Sequence, residues 1–391
     1  MNIILFDGIY HNNLLPLTYT RPVAELRIGM LTIKQKWEQY VENPIQIKTQ
    51  EYLAKKFGSP SEENSIGINA SILPSDDLMS SLLELKNKQI LTSKGKIVAV
   101  NPLPINSKNI EEALSEYKMV ETKAEFLQVE NVWDLFRLND QAIRADIELI
   151  KAAKTFVTPS PTNQILGNDI YIEEGAKVEC AILNTTTGPI YIAKGAEVME
   201  GSILRGPIAI CENGVVKMGA KIYGATTIGP YSKVGGEVNN CMIQGYSNKG
   251  HDGFLGNAVL GEWCNLGADT NNSNLKNNYQ SVDLYNYPEA KYLDTGLQFC
   301  GLVMGDHSKS AINTMFNTGT VVGVSANIYG ADFPSKFIPS YSWGGRKPLE
   351  YKFDKAMDTA KRVMERRNIS LTEEDLNILE YVYKESQKFR K

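Results

Sequence analysis

The chain has 391 residues, of which 42% are hydrophobic and 22% charged, and its formal net charge is −4 at pH 7. That length accommodates two or three domains, no apolar run is long enough to span a bilayer, and the small negative charge gives no electrostatic reason to expect nucleic acid. The opening residues Met1–Gly8 carry no basic segment, so no signal peptide and no membrane partner are expected, and the default location is cytoplasmic.

In chain order, Ile3–Phe6 reads as a short buried strand that ends at Asp7-Gly8. Val23, Leu26, Met30, Ile33, Trp37 and Tyr40 then recur at spacings of three and four, which predicts one face of a helix. Apolar segments at 45–47, 65–73 and 89–100 add strands, and 76–85 reads as a helix. Residues 1–130 are therefore expected to form a mixed α/β domain. A linker helix is expected over 131–157, with Val132, Leu135, Phe136, Ile143, Ile147 and Ile150 as its apolar face. Thr158-Pro159-Ser160-Pro161 breaks it and marks a boundary.

From there the period changes. Ile192, Val198, Leu204, Ile210, Val216, Ile222, Ile228 and Val234 stand six residues apart, and the positions four after each are mostly small. A strict period of six fits neither an amphipathic helix nor an alternating strand, and it is the mark of a repeat. Each hexad supplies a short strand and a corner, three sides close a triangular coil, and stacked coils bury one another's interiors. Shorter hexad runs flank this one, at Leu166, Ile172, Val178, at Phe254, Leu260, Leu266, and at Met304, Ser310, Phe316, Val322, Ile328. The frame slips at 184–189 and 239–249, and residues 271–299 read as an insertion. The β-helix is expected over 158–331. Residues 332–391 read as a helical extension, with Thr372 and Asp375 placed for a capping box. Cys180, Cys211, Cys241, Cys264 and Cys300 lack CxxC spacing and read as reduced thiols.

The segment with chemistry in it lies at the second slip: Asn248-Lys249-Gly250-His251-Asp252-Gly253-Phe254-Leu255-Gly256, running on to Asn265-Leu266-Gly267-Ala268. Only three histidines occur, His11, His251 and His307. Attack of an amine on a thioester needs a base near neutral pKa, and histidine has that pKa unperturbed. His251, flanked by Gly250 and Gly253, is the candidate base; the bland alternative is a surface turn residue.

The hexads resemble the left-handed parallel β-helix of the hexapeptide-repeat acyltransferases. With the segment from Asn248 to about Asn274, the chain looks like the bifunctional UDP-N-acetylglucosamine pyrophosphorylase/glucosamine-1-phosphate N-acetyltransferase family. The order of domains matches as well. The resemblance implies a transferase of sugar-nucleotide biosynthesis. It implies acetyl-CoA as co-substrate, a homotrimer, and an amino-sugar phosphate or nucleotide amino sugar as acceptor. His251 falls on the family's catalytic base. Glu237, Asn265, Lys221 and Phe254 fall on acceptor-binding positions, and Ala268, Asn274 and Lys276 on acyl-donor positions. Lys221 stands for an arginine, Phe254 for a tyrosine and Asn239 for a lysine, which puts the family's own acceptor in question.

The first domain resembles a divergent sugar nucleotidyltransferase. There the family cradles a nucleoside triphosphate on a glycine-rich loop, and Arg21, Gly8 and Asn69 are the matching nucleotide-binding candidates. Ser71 stands where the family holds Mg²⁺ on an aspartate, and Glu130 or Asn131 matches the other metal position. Mg²⁺ is expected only if this domain is active. Other readings are a non-catalytic protein that binds a nucleotide sugar, and a nucleotidyltransferase with the β-helix as trimer scaffold. A β-helical carbonic anhydrase needs three zinc-binding histidines, and only His251 and His307 lie in the repeat region.

Overall fold

The computed structural model describes residues 1–61, 64–107 and 110–390. One unit comprises Met1–Leu14, Arg21–Leu26 and Leu31–Asn131; the other comprises Leu15–Thr20, Arg27–Met30 and Val132–Lys391. Two short stretches of the early chain thus belong to the C-terminal unit.

The N-terminal unit is the expected mixed α/β fold. Its sheet runs in the order Gln46–Lys48, Ile3–Phe6, Ile66–Asn69, Lys96–Asn101, Gln89–Ser93, Lys118–Glu121. Ile3–Phe6 pairs in parallel with both neighbours, and the Gln89–Ser93/Lys96–Asn101 hairpin continues the sheet antiparallel. The apolar strands Ile3–Phe6 and Ile66–Asn69 are the most buried, as parallel pairing covered on both faces requires.

The helix predicted across Val23–Tyr40 does not form as one element. Val23–Glu25 is a single 3₁₀ turn, and a helix runs only over Ile33–Glu38. Between them Gly29 takes φ +70, outside helical space. Thr32 then starts the true helix with a capping box to Gln35. Val23, Leu26, Met30, Ile33 and Trp37 are all buried, so the spacing reported burial correctly and periodicity falsely. The predicted linker helix is likewise two helices, Asp134–Arg137 and Asn139–Ile150, parted at Leu138.

The C-terminal unit is a parallel β-helix with three faces. One face has nine strands, from Ile170–Ile172 to Phe337–Ile338; the second has ten, from Lys177–Val178 to Leu349–Glu350, among the described residues. The third runs from Gln164–Leu166 to Phe254–Gly256 and is prolonged by Asn271–Asn272 paired with Met315–Phe316. Partners lie 18 residues apart through the regular coils, as in Ile190↔Ile208↔Thr226. That is three hexads per turn. The eight aliphatic hexad positions from Ile192 to Val234 are each no more than 2% exposed. They form one continuous core with Leu255, Leu260, Leu266, Met304 and Phe316. Truncating one of them to alanine is worth about 2–5 kcal/mol.

Two hexad assignments shift by one residue. Ile165, not Leu166, aligns with the interior positions Leu183 and Leu204. At Phe254 the interior side chain is Leu255, which aligns with Val238, and Phe254 points outward. Period two along a strand turns a one-residue error into a change of face. Ser310 is interior as expected, and its hydroxyl lies 3.0 Å from that of Thr270. The insertion folds as a hairpin, Asp283–Asn286 with Lys291–Asp294. Helices Phe353–Glu365 and Glu373–Glu385 follow, the second opened by the Thr372–Asp375 capping box. The Tyr341 hydroxyl ties the last coil to Leu379 O at 2.8 Å. Among the described residues no helix is long and apolar enough to cross a membrane.

Candidate functional site

The second and third faces meet along an edge. Four successive coils cross it at Lys217-Met218, Gly235-Gly236, Gly250-His251-Asp252 and Ala268-Asp269, and together they line a cleft of about 410 Å³. The stacking is close. At Gly236 (φ +67) an added Cβ would stand 2.8 Å from Asp252 Cα and 2.9 Å from His251 O. Only glycine lets the His251 corner lie directly on the coil beneath it. Glu237 N donates to Gly253 O at 3.2 Å, and Asp269 N donates to Asp252 O at 3.1 Å, so the corner is held from below and above.

His251 is exposed, and its imidazole has no hydrogen-bond partner among the described residues. It shares the cleft with Ala268, the candidate donor-groove residue. Lys221, Glu237 and Phe254 stand in register on the third face, just past the edge. Asn265 is exposed on the second face, in register with Asn248. The acceptor candidates therefore flank the His251 edge on both sides.

Their electrostatics differ from a simple ligand pocket. Glu237 accepts from the Tyr223 hydroxyl at 2.7 Å and pairs with Lys221 at 3.6 Å. The hydrogen bond to Glu237, with burial and the carboxylate's charge behind it, pushes the Tyr223 phenol up to about 12. Asn274 donates to Asn257 Oδ1 at 2.8 Å, and Lys276 is bound to Asp283 at 2.9 Å in the insertion. Neither lines the His251 cleft.

Four contributors escaped the sequence reading: Lys217, Asp252 and Asp269 on the edge, and Lys249 beneath it. The first three follow from counting coils: 18 residues up to Lys233, 15 at the slip where Lys233 pairs with Asn248, and 17 from Asn248 to Asn265. A basic cluster adjoins the cleft. Arg367, from the turn after the first tail helix, donates to Asn248 Oδ1 at 3.1 Å. Burial lowers the Lys233 ammonium, and Arg367, Lys217 and Arg366 lower it further. No sequence period could have placed these arginines there.

In the N-terminal unit the candidates are mostly committed to the fold. Gly8 (φ +54) is exposed in the first loop, while Arg21 is buried. Asn69 Oδ1 accepts from the Ser71 N–H and hydroxyl, and its amide donates to Ile97 O. The two segments matched to a metal site do meet: Val129 N donates to Ser71 O at 2.8 Å, and Gln128 Nε2 to the Ser71 hydroxyl at 3.0 Å. But Glu130 is bound by Lys96. Asn131, the last residue of this unit, adds only an amide. Among the described residues no group of three His, Cys, Asp or Glu is placed to hold a metal ion. A hydroxyl, an amide and a lysine-bound carboxylate do not fit Mg²⁺.

Comparison with known proteins bears on both units. Residues 3–155 match a family profile described as sugar nucleotidyl transferase. The chain is 25% identical over 258 residues to the bifunctional protein GlmU of Alkaliphilus metalliredigens, covering 53% of this chain and 54% of that protein. It is 24% identical over 285 residues to a bifunctional sugar-1-phosphate nucleotidylyltransferase/acetyltransferase of Sulfurisphaera tokodaii, covering 72% of this chain and 62% of that protein. The chain thus spans little more than half the length of these relatives. A UDP-N-acetylglucosamine acyltransferase from Campylobacter jejuni aligns at 15% identity over 57% of this chain and 94% of its own, with a TM-score of 0.20. The chain is similar to the GlmU-like bifunctional proteins, as its motifs imply.

Proposed function

We propose that the C-terminal unit is an acetyl-CoA-dependent N-acyltransferase of sugar-nucleotide biosynthesis, acting on an amino-sugar phosphate or a nucleotide amino sugar. The observation that carries this reading is an exposed histidine with an uncommitted imidazole in an edge cleft of a hexad β-helix. The acceptor nitrogen attacks the thioester carbonyl and a C–N bond forms. His251 takes the proton that the amine sheds and passes it to the departing sulfur as the C–S bond breaks, so coenzyme A leaves as the thiol. Ala268 and Lys217 line the donor's path; Glu237, Lys221, Phe254 and Asn265 shape the acceptor's. As in the family it resembles, the chain works as a homotrimer, with acetyl-CoA between neighbouring β-helices. The five cysteines are free, which fits a reducing, cytoplasmic setting.

A second reading holds for the N-terminal unit: it binds a sugar nucleotide or sugar phosphate without turning it over. The Lys96–Glu130 pair and the engaged Asn69 and Ser71 favour this over Mg²⁺-dependent transfer. Pyrophosphate release from any nucleoside triphosphate, sugar phosphate and Mg²⁺ would overturn it.

The test of the first reading is thiol release from acetyl-CoA against a panel of amino-sugar phosphates and nucleotide amino sugars. Wild type should release thiol only with acceptor, and His251→Ala should lower kcat roughly 10²–10⁴-fold. A wild type inert with every acceptor refutes it.

A further inference from the structure

Lys249 occupies an interior position of the β-helix. It pairs in register with Val234, and the next coil places Leu266 one residue after the Asn248↔Asn265 pair. Val234 and Leu266 belong to the aliphatic core, and Lys249 is only 2% exposed. A lysine there carries a desolvation cost that methionine of similar length would avoid. Its ammonium runs under the edge and donates to His251 O at 2.5 Å and Asp252 O at 3.1 Å. Both carbonyls belong to the corner that carries the candidate base. Asp252 and Asp269 provide the nearest opposing charge and Cys241 faces the same ammonium; burial nonetheless pulls it down to about 8.

The His251 ring has no hydrogen bond of its own to orient it. Its position is set through the backbone, and Lys249 is the side chain that holds that backbone from within. We infer that Lys249 is a positioning residue: its amine fixes the His251–Asp252 carbonyls and so aims the His251 imidazole into the edge cleft. The inference rests on His251 being the base proposed above. Lys309, whose ammonium burial also brings down to about 8, donates in the same way to His307 O, at a corner outside the His251 cleft.

The experiment compares wild type, Lys249→Met, Lys249→Arg, His251→Ala and the Lys249→Met/His251→Ala double variant. Lys249→Met keeps the stem and loses the donors; it should melt no lower than wild type, and a chain that fails to fold would overturn the inference. Its kcat for thiol release should fall about tenfold to a hundredfold, with the acetyl-CoA KM within about twofold. Lys249→Arg should recover most of the kcat. In the His251→Ala background the same Met substitution should change kcat by less than about twofold, because Lys249 acts through His251. Equal losses in both backgrounds would show a merely structural residue and overturn the inference. NMR of the histidine rings gives an answer independent of turnover. Lys249→Met should shift and broaden the His251 ring signals while leaving His11 in place, and unchanged His251 signals would overturn the inference. Should wild type transfer no acyl group, the acyltransferase reading falls, and the ring signals alone decide for Lys249.

Discussion

In the first loop of the N-terminal unit the Asp7 carboxylate accepts from Val23 N at 2.9 Å, from the Thr49 hydroxyl at 2.6 Å, and lies 3.2 Å from His11 Nδ1. At the β-helix edge His251 has no such bond, and Asn265 beside it is exposed. Both regions are polar breaks after a buried strand, and both looked like sites in sequence. The difference is where the hydrogen-bonding capacity goes. A buried polar group must be satisfied internally, so Asp7, Asn69 and Ser71 close the loop they belong to. The β-helix satisfies its backbone between coils, coil after coil, which frees the edge side chains for a ligand.

The largest effect that would sharpen this contrast is the loss on His251→Ala, roughly 10²–10⁴-fold in kcat with little change in melting temperature. A comparable melting loss would make His251 a structural residue like Asp7 and break the contrast. Asp7→Ala should do the opposite. It strips the acceptor from the Val23 N–H and the Thr49 hydroxyl and should cost the N-terminal unit about 3–5 kcal/mol. Thiol release by the C-terminal unit should be retained. Chemical denaturation followed by Trp37 fluorescence, the indole of which donates to Ile72 O at 2.9 Å within this unit, would measure it.

Next in size is the pH dependence at Lys249. Burial lowers its ammonium from 10.5 to about 8, so between those values the unfolded chain binds the extra proton and wild type gains stability as pH rises. Below about pH 8 both states are protonated and the full penalty, about 3 kcal/mol, persists. The stability of Lys249→Met minus that of wild type should therefore be largest at neutral pH and shrink toward pH 10.5. Denaturant melts across that window would show it, and a constant difference would mean that the ammonium is not desolvated. The smallest effect is at Lys221–Glu237, a half-exposed pair on the third face. A double-mutant cycle should give less than about 1 kcal/mol. Glu237→Gln should let the Tyr223 phenol fall back from about 12, readable as phenolate absorbance at lower pH.

Much of the fold was legible because burial in a β-helix repeats with the chain's own period. Ile192 through Val234 announced the interior without any tertiary knowledge. What was illegible is what happens when the period breaks. The coil shortens from 18 to 15 residues between Lys233 and Asn248, and pattern alone cannot say which positions were dropped. Phe254 was therefore read as interior when Leu255 is, and Lys249, quoted within the His251 segment, was not recognised as an interior position. The Val23–Tyr40 misreading has a different cause: spacings of three and four recur by chance when a 3₁₀ turn, strands and a helix each bury residues in succession. The candidate base was legible once residue chemistry and the scarcity of histidine were joined to the family-like segment around His251. The cleft around it was not, because Lys217, His251 and Asp269 meet only when coils are stacked.

The most direct test of the central claim needs no knowledge of the acceptor: titrate acetyl-CoA into the protein and follow the ring signals of its three histidines. If the edge cleft holds the acyl donor, the His251 signals move saturably, those of His11 stay fixed, and the Lys217→Ala variant needs more ligand for the same shift. If acetyl-CoA leaves His251 unmoved at saturating concentration, the cleft is not the donor site and the acyltransferase assignment fails with it.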